Sequence, residues 1–132
     1  MVNLSDLKRV SWQCVNFTLS EKSSVLKSEL TREGFLVREL DSSLIRDDES
    51  LFSIVSEALG FPDYFGSNWD AMDECLSELD LSSHSGFVLF CNNSSELWRY
   101  STYSAGKFLS VWQSVAEIWG SEGKPFHLCF VI

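Results

Sequence analysis

The sequence predicts an α/β layer architecture: a small, mostly parallel sheet of about four strands, flanked by helices. Three observations predict it. Strand-like runs alternate along the chain with segments of helical period, so each crossover helix can cover an apolar strand face. Residues 87–91 are continuously apolar, as in a strand covered on both sides. With 132 residues, 45% of them apolar and 14% aromatic, one domain has the means to bury a core.

The elements follow in order. Trp12, Cys14, Val15 and Phe17 make a short edge strand, and residues 26–32, with Leu26 and Leu30 four apart, make a short helix that Gly34 ends. Residues 35–40 (FLVREL) are the next strand. Asp47, Asp48 and Glu49 supply the acidic first turn of a helix with Leu51, Val55 and Leu59 on one stripe, stopped by Gly60 and Pro62. After the turn-rich segment 60–68, a helix capped by Asn68 runs to Leu79. It turns Trp69, Met72, Leu76 and Leu79 inward and Asp70, Asp73, Glu74 and Glu78 outward. A Ser-rich loop at 82–86 leads into the 87–91 strand, and 92–95 is a turn and cap. A short helix at 96–100 precedes a longer one at 105–119, with Phe108, Trp112, Val115 and Trp119 inward and Gly120 closing it. Residues 126–132 (FHLCFVI) are the last strand.

The formal charge is −9, from 19 acidic against 10 basic side chains. Phosphate contacts need Lys and Arg, so direct nucleic-acid binding is disfavoured and any charged partner should be basic. Apolar runs are far below the roughly twenty residues a membrane helix needs, and Asp6, Lys8 and Arg9 interrupt the stretch an export signal would use. Cys14, Cys75, Cys91 and Cys129 have no metal-type spacing and read as buried thiols of a cytoplasmic protein. Neither a cofactor nor a metal is expected.

The charge is concentrated. Between Arg46 and Arg99 there is no Lys or Arg, while eleven carboxylates fall in residues 47–98. Asp70, Asp73 and Glu74 crowd one side of one helix, where like charges cost a few tenths of a kcal/mol per pair. A purely structural helix would interleave cations. Just before it, Tyr64 and Phe65 sit in a surface connection, where aromatics rimmed by carboxylates suit a basic protein, or where one or both rings, Phe65 before Tyr64, close the core under the loop.

The run LGFPDYFGSNWDAMDECL, residues 59–76, resembles the signature of the barstar family of ribonuclease inhibitors. That signature is a helix ending in Leu, then Pro-acid-Tyr-aromatic-Gly-x-Asn-x-Asp-Ala-x-x-acid-Cys-Leu. The similarity continues more weakly over 35–132, leaving 1–34 as an added strand and helix on a single 1–132 domain. The resemblance implies a three-layer α/β fold and a protein that turns over no substrate. It implies instead a cytoplasmic inhibitor that plugs the active site of a ribonuclease and protects the producing cell. By similarity Tyr64, Gly66, Asn68, Asp70 and Glu74 match contact positions, with Phe65 and Trp69 next. Asp73 stands where the best-known member has Trp, Glu74 is the longer acid, and a later-helix glutamate of the family falls near Gly106 or Lys107. These departures imply a different cognate enzyme: the basic ribonuclease or toxin nuclease domain of a bacterial toxin-immunity pair, bound 1:1 by a monomer.

Two other classes stand beside this. An enzyme would have to use Asp70 with Glu74, together with His84 or His127, yet no nucleophile, base and oxyanion constellation is visible. An acidic adaptor for a basic protein other than a nuclease uses the same residues.

Overall fold

Parallel strands cannot be joined by tight turns, so each connection must carry the chain back across a face of the sheet. A computed structural model, which describes every residue except Tyr64, shows how. The chain runs through α1 (Leu4–Leu7), β1 (Val15–Thr18), α2 (Ser20–Arg32), β2 (Leu36–Asp41) and a 3-10 turn (Ser42–Leu44). It continues through α3 (Asp48–Leu59), α4 (Trp69–Ser77), β3 (Phe87–Asn92), α5 (Ser94–Tyr100), α6 (Thr102–Ser121) and β4 (Phe126–Val131). The four strands form one all-parallel sheet in the order β1-β4-β3-β2.

Side chains alternate across this sheet and define two cores. Phe87, Leu89 and Cys91 of β3 and Phe126, Leu128 and Phe130 of β4 meet α3, α4, α5 and α6. Val88, Phe90, Cys129 and Val131 point the other way, onto Leu7 of α1 and Leu26 and Leu30 of α2. The result is three layers. Burying a Leu or Phe of this kind contributes about 1.5–3 kcal/mol relative to leaving it exposed. Residues 1–34 therefore supply both the edge strand β1 and the helices over one sheet face. All four cysteines are free and buried, and burial pushes the Cys129 thiol up to about 12. Among the described residues no helix is long and apolar enough to cross a membrane.

Local sequence explains where the observed elements depart from expectation. Trp12 is not in the edge strand: it is 82% exposed, because the amide of Gln13 bonds the Ser11 hydroxyl at 3.1 Å and pairing begins only at Val15. α2 starts six residues earlier than its apolar stripe suggests. Ser23 donates to the Ser20 carbonyl at 2.9 Å, so a polar Ser-rich turn opens the helix. α4 ends at Ser77, two residues before Leu79, which still packs on the core. Asn93 precedes α5 without a side-chain capping bond and instead donates to Asp41 at 2.9 Å.

α6 does not close at Gly120. It runs to Ser121, and Gly123, at φ +77, makes the left-handed exit. Gly120 has another role, since a Cβ there would come within 3.0 Å of Val10. The missing side chain lets the N-terminal segment lie against α6.

That segment is also tied down by His127. Its Nε2 lies 2.9 Å from the Arg9 carbonyl and must be the donor, so Nδ1 is the acceptor for the Asn16 amide at 3.2 Å. Burial holds His127 below its ordinary value, against the smaller opposing pull of the Arg9 bond and the Asp6 charge. The folded form is the neutral ring, whereas an unfolded chain takes up the proton at about 6.5. Its contribution to stability is therefore complete above that pH and is lost as pH falls below it. Urea unfolding at pH 7.5 and 5.0 should show this loss, and His127→Gln should flatten it. An equal pH dependence in both proteins would contradict the assignment.

Candidate functional site

α4 is placed by its first residue and by its neighbour α3. The Asn68 side chain accepts from the Ala71 amide at 2.8 Å, which makes Trp69 the first helical residue and Asp70 the second. Its Nδ2 donates back to the Gly66 carbonyl at 3.3 Å, and Ser67 between them sits at φ +51, uncommon for a residue with a side chain. The turn is thus folded onto the cap. Asn68→Ala should cost about 1 kcal/mol of stability through the lost cap.

The aromatic residues beside this turn face inward. Phe65 packs on Phe61 at 5.2 Å and on Phe52 at 6.2 Å between ring centroids. Trp69 stands edge-on to Phe52 at 4.8 Å. Both are half-buried at the rim of the core, so each combines packing with a remaining exposed edge. Gly66 is exposed, and Tyr64 lies outside the described residues.

Asp70 and Glu74 are exposed and Asp73 is half-buried. Among the described residues none of the three joins an ion pair. The helical repeat places Asp73 one turn beyond Trp69 on the same side, with Asp70 and Glu74 further round. The three carboxylates form one continuous strip. Asp70, in the first turn, is offset by the helix dipole, whereas Glu74 gains little from it.

Asp48, in the first turn of α3, is a residue that spacing did not single out. It accepts from Ser104 Oγ at 2.6 Å and from Trp69 Nε1 at 3.1 Å, with Lys107 Nζ at 3.5 Å. These donors, the Ser104 hydroxyl first, hold its carboxyl below the usual carboxylate range. One side chain therefore fixes the starts of α3, α4 and α6 to each other. Lys107, one of the two positions near which the family's later-helix glutamate falls, brings a cation to the edge of the acidic strip. It also lies 4.5 Å from the Tyr103 ring. No local motif marks a pairing 59 residues apart.

The histidines are elsewhere. His127 is enclosed by Arg9 and Asn16 on the other sheet face, and the His84 carbonyl accepts from Lys124 in the 82–86 loop. Among the described residues no three His, Cys, Asp or Glu side chains gather as they would around a metal ion.

Fold and site define a three-layer α/β protein whose accessible chemistry is a strip of carboxylates on a capped helix, none of them in an ion pair among the described residues. The family model described as Barstar (barnase inhibitor) matches residues 35–131, a span that holds β2, β3, β4 and all of this site. The chain belongs to the barstar family. Membership implies ribonuclease-inhibitor function, and the family is one of inhibitors, not of enzymes. No curated protein matches the chain.

Proposed function

We propose that this chain is the immunity partner of a toxin ribonuclease and blocks its active site with α4 and the preceding loop, within the cytoplasm of the producing cell. The observation that carries this is the strip Asp70, Asp73 and Glu74, in no ion pair among the described residues, on a helix whose position is fixed by Asn68 and Asp48. Ribonucleases hold the RNA phosphate with Arg, Lys and His. Carboxylates projecting from a rigid helix take the place of that phosphate and accept charge-assisted, bidentate hydrogen bonds. Tyr64, Phe65, Gly66, Asn68 and Trp69 complete the contact from the loop side.

The complex is 1:1 and the chain is one domain. Deleting residues 1–34 exposes Val88, Phe90, Cys129 and Val131, so cooperative unfolding should be lost. The functional test uses barnase and a panel of related basic microbial ribonucleases, with RNA cleavage measured as the chain is titrated in. Stoichiometric inhibition of a panel member is expected, with an association rate that falls steeply between low and physiological salt. Cleavage by every member at full rate under excess chain would overturn the reading.

A further inference from the structure

We infer that the partner-binding surface does not end at α4 but crosses Trp69 onto the first turn of α6, where Tyr103 is a second anchor for the same basic nuclease. This rests on the reading of α4 as the nuclease-binding face.

From the Trp69 ring the Lys107 ammonium is 6.0 Å away, and the Tyr103 ring lies 4.5 Å beyond it. Asp48 ties Trp69 to Ser104 and Lys107, so the acidic strip and the start of α6 move as one body.

Tyr103 is 76% exposed on a helix whose other aromatic side chains, Phe108, Trp112 and Trp119, are packed into the core. Tyrosine is enriched among the residues that dominate interface energetics, because it offers a large rigid contact area with a polar tip. Beside Tyr103 lies a groove of 470 Å³ whose other charged lining is Arg46, Asp47, Asp48 and Glu49, at and before the start of α3.

Charge complementarity selects the occupant. Lys107 covers one side of the Tyr103 ring and is itself offset by Asp48, Arg46 is turned onto the Tyr100 ring and donates to the Ser43 and Ile45 carbonyls, and Glu49 faces solvent without an ion pair among the described residues. An arginine or lysine on the flank of a basic enzyme finds there an aromatic face and a carboxylate together. The α4 strip then meets the phosphate-binding centre and the Tyr103 groove receives a flanking cation.

The experiment measures association and dissociation rates of wild type, Tyr103→Ala, Tyr103→Phe and Asp70→Ala on the ribonuclease that the panel shows to be inhibited. Tyr103→Ala should dissociate roughly tenfold faster or more, with an unchanged unfolding midpoint because the ring is exposed. Tyr103→Phe, which keeps the ring, should restore most of the residence time. If Tyr103→Ala dissociates like wild type while Asp70→Ala still weakens binding, the second anchor is refuted and the α4 site stands. If neither substitution changes the rates, or no ribonuclease is inhibited, the reading of α4 falls and this inference with it.

Discussion

Replacing Asp70 and Glu74 together by alanine should weaken ribonuclease binding by about three orders of magnitude while leaving the unfolding midpoint nearly unchanged. Truncating one partner of a desolvated, hydrogen-bonded charge pair costs about 2–5 kcal/mol, a range that owes much to measurements on barnase and barstar themselves. Two such losses at the low end give about 4 kcal/mol, or roughly a thousandfold. Adjacent contacts do not add strictly, so the double variant should fall short of the sum of the singles. Stability should hardly respond. Asp70→Ala gives up a few tenths of a kcal/mol with the helix dipole, and removing Glu74 relieves like-charge repulsion of similar size. Inhibition titrations paired with thermal melts separate the two quantities. A large fall in melting temperature would mean that these carboxylates hold the fold together.

Trp112→Ala should do the reverse and cost about 3–5 kcal/mol of stability, a large share of the 5–15 kcal/mol typical of a domain. Trp112 is fully buried and stacks on Phe126 at 4.5 Å, with Phe87 and Phe108 at 5.9 and 5.8 Å. Its indole N–H also reaches the Phe126 carbonyl at 3.4 Å. It is the contact through which α6 grips the centre of the sheet, so its removal leaves a cavity under both β3 and β4. Chemical denaturation measures the loss. A change below about 1 kcal/mol would show that the core collapses to fill the space.

The parts of the molecule that local rules describe were legible in the residues. The apolar run at 87–91 became the buried strand β3, and Asn68 became the cap that the stripe of α4 required. Other features depend on partners that spacing does not reveal. α1 is only four residues long and stands on a capping box between Asn3 and Asp6, too short to show a period. Trp12 has the composition of a strand residue, but its neighbours turn the chain away before pairing begins. Gly120 carries a stop signal, yet its lack of a side chain serves the approach of Val10.

The acidic strip shows the same division. The charge pattern pointed to Asp70, Asp73 and Glu74, and the motif at 59–76 to Asp70 and Glu74, with Asp73 standing where the family's best-known member has Trp. The role of Asp48 was hidden because Trp69, Ser104 and Lys107 converge on it only in the folded chain. The stretch free of Lys and Arg in sequence is thus not free of cations in space, since α6 returns Lys107 to its border.

An α4 that occupies the place of RNA phosphate in a ribonuclease active site must compete with nucleotide for it. The most direct test is competition: the inhibited ribonuclease is loaded with a mononucleotide that binds its active site, and the chain is titrated in while bound nucleotide is measured. Mutual exclusion is expected, with nucleotide released in proportion to chain bound and release abolished in the Asp70→Ala, Glu74→Ala variant. A stable ternary complex, holding nucleotide and chain on the enzyme at once, would contradict it.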